Sequence, residues 1–486
     1  AHGIPVEETA MKQKWRTKRL LAFALLLASV LGLVWGSQMV GVSVAESDAQ
    51  HMTIGTWQAF LPTATPENSR EDQIYVDPLY EYRLRLAPGW RISPTPADAL
   101  FGVATLYNYD PDEVERSHGF PSDGLKIQIG VGPLKQGQSF NEWIARRKAD
   151  QTNSEYGVAV GLMVSESHSV QVGRYSGVAF IFQGRAGPPV LEIDLSHRNQ
   201  VMSIGLLPAN STSLPDALAM LATLEMRGEQ TQPAERGVYE GIQATPECRE
   251  PLSPNVVSKL LSSVNSLADF TCPIGTFPGD EAPNSPIELW MPFRAGETWT
   301  VGGAGAFYGN WYHCNYYNDY YATDWNRSND DGAAVLPVAN GTISGYDDPP
   351  CPTTGYGCYV RVDHSSGVRT LYAHLSGVYR TSGSVNHWDQ IGAVGSSGNS
   401  SSPHLHLTFR RNEGGYYYSH CYNNGNVCPN GEQGIWPQSP KPSPMNTQSG
   451  PQILQDGYSY TSNNQESDTT PPDTYITSGP SGLINY

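Results

Sequence analysis

The sequence predicts a multi-domain protein: an α+β amino-terminal domain followed by a mainly-β domain built on antiparallel sheet. Three observations carry this expectation. At 486 residues the chain exceeds one ordinary domain, and its composition changes in blocks. Residues 73–228 hold short runs of alternating apolar and polar residues together with two helical patterns. Residues 289–436 hold strand-like runs separated by turns rich in Gly, Ser and Asn, one of them beginning at His404-Leu405-His406.

Taken in order, residues 1–45 read as an amino-terminal extension followed by a secretory signal peptide or anchor. Lys12, Lys14, Arg16, Lys18 and Arg19 precede an apolar run over residues 20–36, and Ser43-Val44-Ala45 offers a small-residue cleavage site before Glu46. Met11 is the expected natural start. Left uncleaved, residues 20–36 would serve as a membrane tether, although the run falls just short of the roughly 20 apolar residues of a full span. No Cys stands directly after the run, which argues against a lipid-anchored lipoprotein. The expected location is secreted or at the cell surface. Cysteine usage agrees with export. All seven cysteines lie after residue 247, and the pairs Cys351/Cys358 and Cys421/Cys428 are spaced to close short disulfide loops. Cys248 and Cys272 can form a third bridge, which leaves Cys314 over.

Residues 46–72, with Pro62-Thr63-Ala64-Thr65-Pro66, form a polar linker. In the α+β domain of residues 73–228, Tyr82-Arg83-Leu84-Arg85-Leu86 and Leu125-Lys126-Ile127-Gln128-Ile129 alternate as half-buried strands do. So do Gly177-Val178-Ala179-Phe180-Ile181-Phe182 and Leu191-Glu192-Ile193-Asp194-Leu195. Ser139-Phe140-Asn141-Glu142 carries a capping box that opens a helix, and residues 214–226 close the domain with another. Its opening, Tyr80-Glu81-Tyr82-Arg83-Leu84-Arg85-Leu86-Ala87-Pro88-Gly89-Trp90, weakly resembles the start of a PsbP/Mog1-like domain. No constellation of Asp, His or Cys falls in this region, so a binding or spacer role is expected. Residues 229–288 are a Pro- and Ser-rich connector with one helical stretch at 255–267. Residues 437–486 are a low-complexity tail, expected to be disordered, whose segment 468–480 resembles the opening strand of a bacterial immunoglobulin-like repeat.

A formal charge of −17 argues against nucleic acid or anionic lipid as a partner held through a general basic surface. Among the 27 tyrosines, the clusters at Tyr316, Tyr317, Tyr320, Tyr321 and at Tyr416, Tyr417, Tyr418 suit a groove that stacks on sugar and peptide. They suit a wet β surface equally well.

The chemistry concentrates in three motifs. Alternate side chains of a strand share a face, so His404 and His406 point together while Leu405 and Leu407 point to the core. Arg369-Thr370-Leu371-Tyr372-Ala373-His374-Leu375 is a second strand, on which His374 shares a face with Tyr372, and Asp324 stands in Tyr320-Tyr321-Ala322-Thr323-Asp324-Trp325. Blander readings suit the remainder: a turn role for Asp363 and solvated loops for His387 and His420. Gly392, Gly395 and Gly398 read as backbone turn positions.

Together the Asp-containing motif, Tyr372-Ala373-His374-Leu375 and Pro403-His404-Leu405-His406 resemble the LytM/lysostaphin-type zinc metalloendopeptidases, a family of peptidoglycan hydrolases, over roughly residues 290–412. The resemblance implies a β-rich catalytic domain at 289–436, a Zn2+ cofactor, and peptidoglycan or another peptide as substrate. It places His374 and His404 as catalytic imidazoles, with Asp324 and His406 among the metal ligands. A catalytic zinc takes three protein ligands and keeps a position for water, whose pKa it lowers from 15.7 to about 7.

One position departs from the family pattern. Its commoner branch has a His four residues before the Asp, where this chain has Tyr320. The β-lytic endopeptidase branch draws that His from an earlier loop, and His313, after a Gly- and Trp-containing approach, matches this arrangement. Two readings stay open: an active enzyme with His313, Asp324 and His406 on the metal, or a catalytically inactive wall-binding or regulatory module. A third is a binding protein that keeps zinc as a structural staple.

Overall fold

The computed structural model describes residues 73–117, 120–153, 162–184, 188–226, 250–264, 284–302, 322–413, 416–418 and 443–465. Outside them lie the signal segment and linker, His313, Cys314, Tyr316, Tyr317, Tyr320, Tyr321, His420, the cysteines other than Cys351 and Cys358, and residues 468–480. All described residues belong to one compact unit, Ser69–Tyr486. No helix among them is long and apolar enough to cross a membrane.

The structure is mostly antiparallel sheet. In the amino-terminal region six strands lie side by side in the order His168–Val172, Tyr175–Gln183, Val190–His197, Gln200–Leu207, Lys126–Pro133 and Phe101–Tyr107. Alternation divides their residues between two faces. Ile127, Ile129, Ile193 and Ile204 join Leu218, Val257 and Leu260 in one core, packed under helices Leu214–Leu221 and Pro254–Ser262. The second of these helices belongs to the stretch read as connector, and Val256, Val257 and Leu260 tie it to this core. Helix Phe140–Asn153 begins at the expected capping box: the Ser139 amide donates to Glu142 Oε2 at 2.8 Å and the Glu142 amide donates to Ser139 Oγ at 3.2 Å. The 214–226 pattern stops being helical after Leu221, because Glu225 pairs with Arg83 through two backbone bonds of 2.8 and 2.9 Å.

The polar face of this sheet overturns the half-buried reading. Lys126 and Gln128 are 1% exposed, and Glu192 and Asp194 are 0% exposed. The carboxy-terminal region covers Lys126, Gln128 and Glu192. Its own antiparallel sheet runs Ser384–Val385, Gly341–Tyr346, Cys358–His364, Val368–Leu375, Leu405–Glu413, Thr323–Asn326, Thr298–Gly302 and Ser459–Thr461. Its core centres on Trp299, Trp325 and Phe293, with Phe293 stacked on Trp299 at 3.7 Å between ring centroids. The strand Gly377–Val378 pairs with Phe101–Tyr107, so sheet runs from one region into the other. Gly102 permits this approach: a Cβ there would lie 2.1 Å from the Ser376 carbonyl oxygen.

Beside that seam, Arg147 bonds Glu192 Oε1 at 2.9 Å and the carbonyls of Pro350 and Cys351 at 3.1 and 3.0 Å. Glu192 also accepts the Thr353 hydroxyl. The expected Cys351–Cys358 disulfide closes the loop that begins at the second of these carbonyls and carries Thr353. Arg147→Met removes the cation from a fully buried carboxylate, and breaking a buried pair in this way costs about 3–5 kcal/mol. Chemical denaturation of the variant is expected to show that loss, and an unchanged midpoint would refute it.

Residues 443–465 are a second correction, because part of the segment expected to be disordered is built into the fold. Met445–Thr447 pairs with Leu289–Trp290, and Ser459–Thr461 pairs with Thr298–Gly302. Met445 and Leu454 are buried, and Asn464 donates to the carbonyls of Met291 and His387 at 2.8 and 2.7 Å. Strand partners distant in sequence satisfy a backbone whose local composition is too polar to form a core alone. His387 is likewise not a solvated loop residue. It stacks on Trp290 at 4.5 Å, with Nδ1 2.5 Å from Asn464 Oδ1. Asp363 accepts two bonds from Arg369, at 2.5 and 2.8 Å, which close the hairpin turn at Ser365–Gly367.

Candidate active site

Asp324 and His406 are directly opposed on antiparallel strands, Thr323–Asn326 and Leu405–Glu413. Opposed residues project from the same face, so carboxylate and imidazole meet: His406 Nδ1 stands 2.9 Å from Asp324 Oδ1. Trp325, Leu405 and Leu407, of opposite parity, are fully buried in the core. That much follows the alternation.

His374 reaches the same place by breaking it. Tyr372, with which it was expected to share a face, points into the core, where its hydroxyl accepts the Val338 amide proton at 2.8 Å. Between Tyr372 and Leu375 the register against Cys358–His364 shifts, so that two residues oppose one, and His374 takes a φ of +60°. A bulge of this kind re-aims a side chain. It brings the His374 ring within 4.8 Å of His404 and 5.5 Å of His406, centroid to centroid. A left-handed conformation costs a non-glycine residue energy, and strain of this kind gathers at functional sites.

The loop that leads into the strand Leu405–Glu413 sets the tautomers of His374 and His404. His374 Nδ1 lies 2.7 Å from the Ser397 carbonyl, and His404 Nδ1 lies 3.0 Å from the Ser402 carbonyl. A carbonyl can only accept, so each Nδ1 carries a proton and each neutral ring presents Nε2 as its acceptor nitrogen. His404 Nε2 is 3.9 Å from Asp324 Oδ1. Burial, reinforced by the neighbouring imidazoles of His404 and His406, holds the His374 pKa well below the usual histidine value, so the ring is neutral at physiological pH. Gly398, with φ +71°, lets the loop approach Gly355 and Gly357; a Cβ there would meet the Gly357 nitrogen at 2.3 Å. Gly392 and Gly395 instead sit in strand pairing, opposite Ala334–Val335 and His404.

Tyr356 escaped the sequence reading. Its ring lies 5.7 Å from that of His406, and its hydroxyl accepts a 2.8 Å bond from the buried Arg410. The available signal was an aromatic residue between two glycines, Gly355 and Gly357, both with positive φ.

Asp324, His374, His404 and His406 are therefore one cluster, while His313 lies outside the described residues. A tetrahedral zinc with bonds of about 2.0–2.1 Å holds two of its donors roughly 3.3 Å apart. The 2.9 Å between Asp324 Oδ1 and His406 Nδ1 is close to that separation, so these two donors fit. Among the described residues no group of three or more His, Cys, Asp and Glu is arranged to hold a metal ion.

The segment carrying all four side chains, residues 321–417, matches Peptidase family M23, and the chain carries an M23 peptidase domain of the LytM type. Over 58 residues it is 50% identical to the DD-carboxypeptidase/endopeptidase Mpg of Neisseria meningitidis serogroup B; the match spans 12% of this chain and only 14% of that relative. Among solved structures, the M23 metalloprotease pseudoalterin from the deep sea aligns at 24% identity over 31% of this chain and 96% of its own, with a TM-score of 0.21. The solution structure of PsbP from the cyanobacterium Synechocystis aligns at 12% identity over 32% of this chain and 91% of its own, with a TM-score of 0.23.

Proposed function

We propose that the protein is a zinc metalloendopeptidase that hydrolyses peptide bonds of bacterial peptidoglycan, in the stem peptide or the cross-bridge. The convergence of Asp324, His374, His404 and His406 within an M23 segment is the observation that carries the proposal. Residues 289–436 would be the catalytic domain and residues 73–228 an α+β domain of PsbP/Mog1 type. Export through residues 1–45 would place the enzyme outside the membrane, where its substrate lies.

Asp324, His406 and His313 would hold the metal, as a carboxylate and two imidazoles suited to zinc. When bound, zinc supplies an activated water near neutral pH and polarises the scissile carbonyl. The protein's own contribution is the handling of protons. With Nδ1 pinned by a carbonyl, the Nε2 of His404 and of His374 can accept a proton, and the imidazolium so formed can stabilise an oxyanion or return the proton to the leaving amine. Asp324, 3.9 Å from His404 Nε2, favours that charged form.

The test uses the full exported chain, because residues 443–465 and the amino-terminal sheet are part of the same compact unit. Zinc content and cleavage of a cross-linked muropeptide and of pentaglycine would be measured with and without chelator, beside His313→Ala. About one zinc per chain, with chelator-sensitive cleavage and both lost in the variant, is the expected outcome. A folded protein with neither zinc nor cleavage would favour the inactive wall-binding or regulatory alternative that Tyr320 suggests, and zinc without cleavage would point to a structural staple.

A further inference from the structure

We propose that Lys126, from the amino-terminal sheet, is a positioning residue for the active site: it holds the loop of residues 396–402, whose other carbonyls orient His374 and His404. The proposal rests on the peptidase reading of that site, and it gives the amino-terminal region a part in the reaction.

The loop is held on two sides. Lys126 Nζ, 1% exposed, donates to the carbonyls of Ser396, Gly398 and Ser400 at 2.7, 2.8 and 2.6 Å. Gln128, two residues along on the same face, accepts the Gly398 amide proton at 2.7 Å and donates to the Pro352 carbonyl at 3.0 Å. Between the first two of these points the Ser397 carbonyl accepts a hydrogen bond from His374 Nδ1, and two residues beyond the last the Ser402 carbonyl accepts one from His404 Nδ1. Three converging carbonyls match the three donors of an ammonium and the full donor set of no other side chain at this length. Burial pushes the Lys126 ammonium down to about 7. A buried cation is expensive, and a Met would fill the same space at less cost to stability. Keeping a lysine here makes physical sense if the loop geometry is what it secures.

The consequence for catalysis follows from tautomers. If Ser397 and Ser402 move, Nδ1 and Nε2 of the two histidines can exchange roles, and the basic nitrogen of His404 no longer faces Asp324. Misplacement on the order of 1 Å in supporting groups can cost roughly 100-fold in rate.

The experiment compares the full chain with Lys126→Met, reading the imidazole tautomers of His374 and His404 by nitrogen-15 NMR, the zinc content, and kcat and KM on cross-linked muropeptide and pentaglycine. Expected are unchanged zinc, because neither Asp324 nor His406 lies on the loop, loss of the single Nδ1-protonated form, a kcat lower by about 10- to 100-fold and a KM within about twofold. Leu218→Ala, a cavity in the opposite core, should lower stability while leaving tautomers and kcat as they are, which separates positioning from general weakening. Unmodified-like tautomers and kcat in Lys126→Met would overturn the assignment. Should that variant not fold, Gln128→Leu, which removes the Gly398 bond, decides by the same readings. The NMR arm needs no turnover, so an unmodified protein that cleaves neither substrate would sink the peptidase reading while the tautomers still settle the role of Lys126.

Discussion

Asp324→Ala and His406→Ala are each expected to lose zinc and hydrolysis together. The two residues supply the pair of donor atoms that stand 2.9 Å apart, on strands whose register sets them directly opposite. Removing either leaves at most two ligands, too few for a catalytic zinc. The activated water goes with the metal. Several kcal/mol of transition-state stabilisation, at about 1.4 kcal/mol per tenfold, place the loss at roughly 1000-fold or more. Metal analysis and cleavage assays on the same preparations check this, because a variant that keeps stoichiometric zinc cannot have lost a ligand. Asp324 is the more informative site. It also stands 3.9 Å from His404 Nε2, so Asp324→Asn should weaken proton handling even in any fraction that retains metal.

His374→Ala is expected to separate what those variants join. His374 is held by the Ser397 carbonyl and by a bond from its own amide to the Tyr356 carbonyl at 2.9 Å. Its substitution should therefore leave zinc near one per chain and lower kcat by about 100- to 10,000-fold, the range of a lost general acid or base. Alanine keeps the strained φ of +60° and gives up the ring's bond to the Ser397 carbonyl, so stability should fall modestly while the fold is kept. Retained turnover would remove His374 from the mechanism. His404→Ala should follow the same pattern, again with metal kept.

Much of the candidate site was legible because its logic is local. Period-two alternation alone placed His404 with His406, away from Leu405 and Leu407, and the structure keeps that division. Three short motifs in order carried the family. His374 shows the limit of the same rule. Alternation assigned it to the face of Tyr372, and a one-residue bulge against Cys358–His364 moved it to the other, since a strand pairing shifted by one residue reverses every facing. Residues 443–465 mark a second limit. Composition reports whether a segment can form its own core, and Met445–Thr447 and Ser459–Thr461 are instead held by strands more than 150 residues away in sequence.

By itself, then, the sequence determined which side chains share a strand face, where the capping box at Ser139 opens a helix, that Cys351 and Cys358 can close a loop, and which motifs belong together. Those properties depend on neighbours along the chain. Only the tertiary structure decided what each face meets. In Leu125-Lys126-Ile127-Gln128-Ile129 the alternation separates apolar from polar side chains but is silent on whether the polar set touches water or a second region. Here Lys126 and Gln128 meet the loop that orients His374 and His404. Hydrogen-bond donors are satisfied equally by solvent and by converging carbonyls, so the same local pattern serves both, and only long-range packing selects between them.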